Sequence, residues 1–135
     1  MENRDISRAK RDDNGEWVEG FLFLVNDVPY ILPHHNTGQP IHGDNLLSTS
    51  AEVQKDTICR CTGYEDKNGK LIFENDIVIK HNDDDKEPYL IRWGENYAAW
   101  ELAQCGCAMY GFFDVDLGEI EVIGNAIDNL ELLEV

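Results

Sequence analysis

The sequence predicts a mainly β fold: a small antiparallel barrel-like or folded sheet with an N-terminal β-hairpin and a short C-terminal helical turn. Three observations predict it. Apolar residues recur at every second position in short runs, as in Tyr89, Ile91 and Trp93. Turn pairs such as Asn14-Gly15 and Asn68-Gly69 separate the runs. Five or six such runs follow residue 57, with turns at intervals of about 8–12 residues, the rhythm of small all-β domains.

In chain order, Asp13-Asn14-Gly15 is a turn signal leading into the run from Glu16 to Val25. From Phe21 to Val25 the alternation becomes a continuous apolar stretch, expected to be buried on both faces. Asn26-Asp27 turns the chain back through Val28 to Leu32, and Pro29, with no N–H to donate, suggests an edge strand. The chain then loses periodicity. With 135 residues one domain is expected, made of a hairpin at about 1–32, an irregular loop at about 33–56 and a barrel-like region at about 57–135.

In that last region Thr57–Cys61 and Leu71–Phe73 flank the turn Asp66-Lys67-Asn68-Gly69, and Asp76–Lys80 follows with Ile77 and Ile79 facing inward. Tyr89, Ile91 and Trp93 face one way, and Ala98, Trp100 and Leu102 share a face beyond the Gly94-Glu95-Asn96 turn. Alternation from Met109 to Leu117 predicts a further strand, and Ile120 and Val122 a final one. Asp128 is placed to cap a last helical turn. The expected core comprises Phe21, Phe23, Ile77, Ile79, Ile91, Trp93, Phe113, Val115, Ile120 and Val122.

Charge narrows the partners. The net charge is −16, yet residues 1–11 hold Arg4, Arg8, Lys10 and Arg11 against Glu2 and Asp5. Such an acidic chain repels phosphate backbones, so direct nucleic-acid binding is not expected. The sharper alternative is an acidic mimic of nucleic acid that blocks a basic host protein. The longest apolar run is the five residues from Phe21 to Val25, too short to span a membrane, and the charged start does not read as an export signal. A cytoplasmic protein of a bacterial host cell is the expectation.

Several segments together resemble the YopX-like family of phage and prophage proteins. They are Trp17-Val18-Glu19-Gly20, the long stretch from Cys61-Thr62-Gly63-Tyr64-Glu65-Asp66-Lys67-Asn68-Gly69-Lys70 through Leu71-Ile72-Phe73-Glu74-Asn75-Asp76-Ile77-Val78, then Val122-Ile123-Gly124-Asn125 and Glu131-Leu132-Leu133. The resemblance implies a phage or prophage origin and a mainly β, barrel-like fold, and it implies no activity. The chain departs from the family pattern at Ser7 and Lys10, which flank Arg8-Ala9, and at Cys59-Arg60-Cys61. A role that depended on cysteine would therefore be this protein's own. Read physically, the 61–78 motif is a scaffold, with Asp76 placed to accept from backbone amides of its own turn.

The candidate ligands are few. Cys59/Cys61 and Cys105/Cys107 each place two thiols on one strand face, and four sulfurs would suit zinc at about 2.3 Å. Their spacing is tighter than zinc pairs favour, and free cysteines commonly pack as small hydrophobes. His34, His35 and His42, with Asp44 nearby, would suit a transition metal but match no known ligand spacing. No cofactor is expected, zinc being the ion these residues would take. Asp114 and Asp116 share a strand face without a visible third group, and no phosphate loop or nucleophile triad occurs. The reading that results is a non-enzymatic protein-binding accessory protein. Its partner is an unidentified host or phage protein, and self-association as a homo-oligomer follows from the apolar hairpin. The alternative of another class is a metal-binding domain or metal-dependent enzyme.

Overall fold

Two adjacent residues in left-handed backbone, Asn26 (φ 50°) and Asp27 (φ 67°), make the tight turn that pairs β2 (Trp17–Val25) with β3 (Val28–Pro33). β1 (Ser7–Lys10) lies along the other side of β2, with Ser7 opposite Gly20 and Lys10 opposite Trp17. The computed structural model describes residues 5–34, 46–84, 86–104 and 107–133. They divide into two units, Met1–Cys61 and Thr62–Val135.

The first unit continues through a short helix, α1 (Leu46–Thr49), and β4 (Ala51–Glu52) to β5 (Cys59–Glu65), and its strand order is β4-β3-β2-β1-β5. Ala9, Ile31 and Val53 form its core, with Val18 and Ile58 against them. In the second unit β5 runs on beside β6 (Leu71–Phe73). A five-stranded antiparallel sheet follows, built from β7 (Asp76–Lys80), β8 (Tyr89–Gly94), β9 (Ala99–Gln104), β10 (Cys107–Gly111) and β11 (Ile120–Asn125) in the order β10-β9-β8-β7-β11. Its core is Ile72, Val78, Tyr89, Ile91, Leu102 and Ile120. The fold is mainly β, and among the described residues the sheets are open rather than closed into a barrel.

Several expectations are corrected. β1 was not legible, because Ser7-Arg8-Ala9-Lys10 has no apolar alternation, yet it sits between β2 and β5. The supposedly irregular stretch at 33–56 contains α1 and β4, so helix is not confined to the C-terminus, where Leu130–Leu133 forms a 3-10 turn. β3 is not an edge strand: β4 pairs with Tyr30 and Ile31, and Pro29 meets the need for a partner by accepting from the Val53 N–H through its carbonyl. The strand expected through Leu117 stops at Gly111. Phe112–Asp114 and Leu117–Glu119 are 3-10 turns, from which Phe112 and Leu117 still reach the core.

Of the expected core, Ile77, Ile91 and Ile120 are buried, whereas Phe23, Ile79, Trp93, Val115 and Val122 are half-buried. Phe21 is exposed. On β7 it is Val78, not Ile79, that enters the second unit's core, because that core lies on the opposite face of the strand from the one expected. Trp93 instead pairs edge-to-face with Trp100 directly across the β8–β9 ladder, ring centres 5.2 Å apart. The side chain of Phe113 lies outside the described residues.

Candidate functional site

The first unit presents an overhanging hairpin. β1 covers β2 only from Trp17 to Gly20, and β4 pairs with β3 only at Tyr30 and Ile31. Beyond those residues β2 and β3 have each other and, among the described residues, no further strand. The strand period divides what they carry. One face holds Trp17, Glu19, Phe21 and Phe23, and Phe23 stacks on Tyr30 at 5.6 Å between ring centres, its register partner on β3. The other face holds Val18, Leu22 and Leu24. Ile31, opposite Leu22, is fully buried, but Leu22 is 37% exposed, Phe21 47% and Leu24 60%. Large apolar side chains thus meet solvent on both faces of the same five-residue segment.

The polar half of the first face is equally ordered. Arg8 and Lys10, two residues apart on β1, both approach the Trp17 ring, with the Arg8 Cζ 5.0 Å and the Lys10 Nζ 5.6 Å from its centre. Contacts of this kind contribute about 0.5–1 kcal/mol at exposed sites and about 2 kcal/mol when desolvated, and Arg8 is buried. His34 Nε2 lies 3.4 Å from Glu19 Oε2 on the neighbouring strand. His34 is therefore placed beside a carboxylate, while His35, His42 and Asp44 lie outside the described residues.

Cys59 and Cys61 are both buried on β5, and the Cys59 thiol donates to the Thr57 carbonyl at 3.3 Å. Cys105 lies outside the described residues, and Cys107 is placed by its backbone alone, as the first residue of β10. Among the described residues no three of His, Cys, Asp and Glu gather in a way that could hold a metal ion. Asp114 and Asp116 do not form a carboxylate pair on a strand. Asp114 ends one 3-10 turn, and Asp116 caps the next by accepting from the Gly118 N–H at 3.0 Å.

The second unit holds a cavity of about 330 Å³ lined by Asp83, Asp84, Glu87, Tyr89 and Tyr110. Two carboxylates of the acidic stretch after β7 are engaged: Asp83 accepts from the Tyr89 hydroxyl at 3.4 Å and lies 3.4 Å from the Lys80 ammonium. Glu87 accepts from the Gln104 amide at 2.8 Å. Lys80 Nζ also sits 3.9 Å from the centre of the Tyr110 ring. Burial, and after it the negative charge of Asp83, pushes the Tyr89 hydroxyl up to about 12. The alternation that put Tyr89 on one strand face with Ile91 and Trp93 was the available signal. The role of Tyr110 depends on a bulge between Ala108 and Tyr110, which the sequence does not announce.

With this geometry in place, comparison with known proteins is informative. A family model described as YopX protein matches residues 8–134, from β1 to the last 3-10 turn. The chain belongs to the YopX family. No curated protein matches it. Among solved structures, protein EF1440 from Enterococcus faecalis is similar, with 24% identity over 95% of this chain and 96% of that one and a TM-score of 0.57. That likeness shows the fold.

The stretch that carried the YopX resemblance is a hydrogen-bonded frame. Asp66 Oδ1 accepts from the backbone N–H groups of Asn68 and Lys70, closing the turn in which Gly69 adopts φ 77°, and its Oδ2 accepts from Val122 N at 2.9 Å. Thr62 donates its hydroxyl to the Ile72 carbonyl at 2.8 Å. Asp76, fully buried, accepts from Phe73 N at 2.8 Å across the Glu74-Asn75 turn, as the sequence suggested. These side chains hold strands together.

Proposed function

We propose that this YopX-family chain is a non-enzymatic accessory protein of a phage or prophage that acts by binding protein, with the β2–β3 hairpin as its contact surface. The observation that carries the reading is the exposure of Phe21, Leu22 and Leu24 on two faces of one segment. Scattered apolar residues are ordinary on a surface, but a contiguous set on a projecting hairpin is characteristic of an interface. Charge supports it. Residues 1–61 hold six Lys/Arg and ten Asp/Glu, and residues 62–135 hold five and seventeen, net −4 and −12. The hairpin therefore belongs to the less acidic unit, and from Gly20 to Pro33 its only charged residue is Asp27.

The test compares wild type with the double variant Leu22→Asp/Leu24→Asp as bait in lysate of the bacterial host. The expected result is a protein captured by wild type and lost with the variant, while both unfold at the same temperature. A variant that keeps every protein wild type captures would refute the hairpin as the contact surface.

A further inference from the structure

The chain carries the same reactive pair twice, Asn14-Gly15 between β1 and β2 and Asn68-Gly69 between β5 and β6. An asparagine followed by glycine can cyclise, because no Cβ hinders the glycine backbone nitrogen as it attacks the side-chain amide carbon. The two turns match in what concerns the nucleophile. Gly15 and Gly69 sit at φ 74° and 77°, and both pairs are exposed. Each glycine N–H donates at 3.0 Å to a carbonyl earlier in the chain, that of Arg11 or of Asp66.

They differ at the electrophile. Glu16 N–H donates to Asn14 Oδ1 at 2.9 Å, and Asn14 Nδ2 lies 3.5 Å from Glu16 Oε2. The first bond closes a small ring that contains both the amide carbon of Asn14 and the nitrogen of Gly15. It also sets a donor on the oxygen that gathers negative charge during attack. The second contact puts a carboxylate beside the nitrogen that must collect a proton and leave. At Asn68 the equivalent N–H, that of Lys70, is spent on Asp66 Oδ1, which also takes the N–H of Asn68 itself. Asp66 is buried and bonded onward to Val122 N, so that turn is fastened as well.

We infer that Asn14 is a self-modification site, deamidating through a succinimide, and that the fold spares Asn68. Gly15 N bonds to Asn14 Cγ and gives up its proton, the Cγ–Nδ2 bond breaks, and the departing nitrogen takes a proton and leaves as ammonia. Water then opens the succinimide at either carbonyl, giving aspartate or isoaspartate. Either product sets a new carboxylate between Asp13 and Glu16, and isoaspartate lengthens the β1–β2 connection by a methylene.

The test ages the full chain in warm, mildly alkaline buffer and, in parallel, in denaturing urea. Peptide mass spectrometry and enzymatic methylation of isoaspartate follow both asparagines. In buffer Asn14 is expected to convert about tenfold faster than Asn68, the rate equivalent of one net hydrogen bond. In urea, where both turns are lost, the two rates should converge. Asn14→Gln keeps the amide but must close a larger ring, so it should abolish the isoaspartate of the folded chain, whereas Asn68→Gln should leave it. Equal rates at the two sites in the folded chain, a preference for Asn14 that persists undiminished in urea, or isoaspartate that survives Asn14→Gln overturns the inference.

Discussion

Replacing Gly20 with alanine should be among the most damaging single changes in the first unit, and the reason is space rather than backbone conformation. A Cβ at residue 20 would lie 1.9 Å from the Leu32 carbonyl oxygen, 2.7 Å from its carbon and 2.8 Å from the Pro33 Cα. All three are backbone atoms of the paired strand, so no rotamer can relieve the clash. Ordinary contact begins at 3.4 Å, so β2 and β3 must part by more than an ångström where Gly20 faces Pro33. Such a shift breaks two or three ladder hydrogen bonds at about 0.5–1.5 kcal/mol each. Overpacking strain adds about 1–3 kcal/mol. A total loss of about 2–7 kcal/mol is expected, read from the midpoint of urea unfolding at unchanged slope. Gly15→Ala is the control of opposite kind: nothing lies within 4 Å, but φ is +74°, so it should cost only about 1–2 kcal/mol. A Gly20→Ala loss below about 0.5 kcal/mol, the range of ordinary surface substitutions, would refute the argument.

Other outcomes follow from the second unit. Ile91→Ala empties a fully buried site in its core and should cost about 2–5 kcal/mol in the same unfolding experiment, whereas Ile123→Ala, exposed on β11, should cost little. For Asp66, burial alone would raise the carboxyl, but the N–H groups of Val122, Lys70 and Asn68 outweigh it and hold the group below the usual carboxylate range. A depressed folded pKa means that its stabilisation is present above about pH 4 and lost as pH falls through the folded value, so Asp66→Asn should flatten the acid limb of the stability–pH curve. Tyr89 works in the opposite sense. Its hydroxyl is raised from 10 to about 12, so its contribution is complete below pH 10 and declines as pH rises toward 12. Tyrosinate absorbance should show this late titration, and Asp83→Asn should bring it earlier by removing the neighbouring charge.

Much of the strand content was legible because it rests on short-range physics. The Asn26-Asp27 and Asn68-Gly69 turns follow from residues that tolerate positive φ, and β2, β3, β7, β8 and β9 follow from two-residue alternation between such turns. The family membership was legible as a resemblance, and within its longest stretch, residues 61–78, Asp66 and Asp76 bond to nearby backbone. What alternation could not convey was which face of a strand has a neighbour. Ile79 and Phe21 occupy well-formed strand positions, but burial depends on what packs against that face. The core took Val78, and no described strand covers β2 beside Phe21.

Sequence alone therefore determined the mainly β character and the turns, because each depends on residues close together in the chain, and it carried the YopX membership as a resemblance spread over residues 17–133. Tertiary structure alone decided that the unremarkable Ser7–Lys10 lies between β2 and β5, that its Arg8 and Lys10 flank Trp17, and that Asp83 turns inward to Tyr89 and Lys80. It also decided that the most apolar run of the chain exposes Phe21, Leu22 and Leu24. Those facts depend on pairings between residues far apart in the chain, where the partner, and not the residue's own type, sets whether a side chain is core, contact or surface.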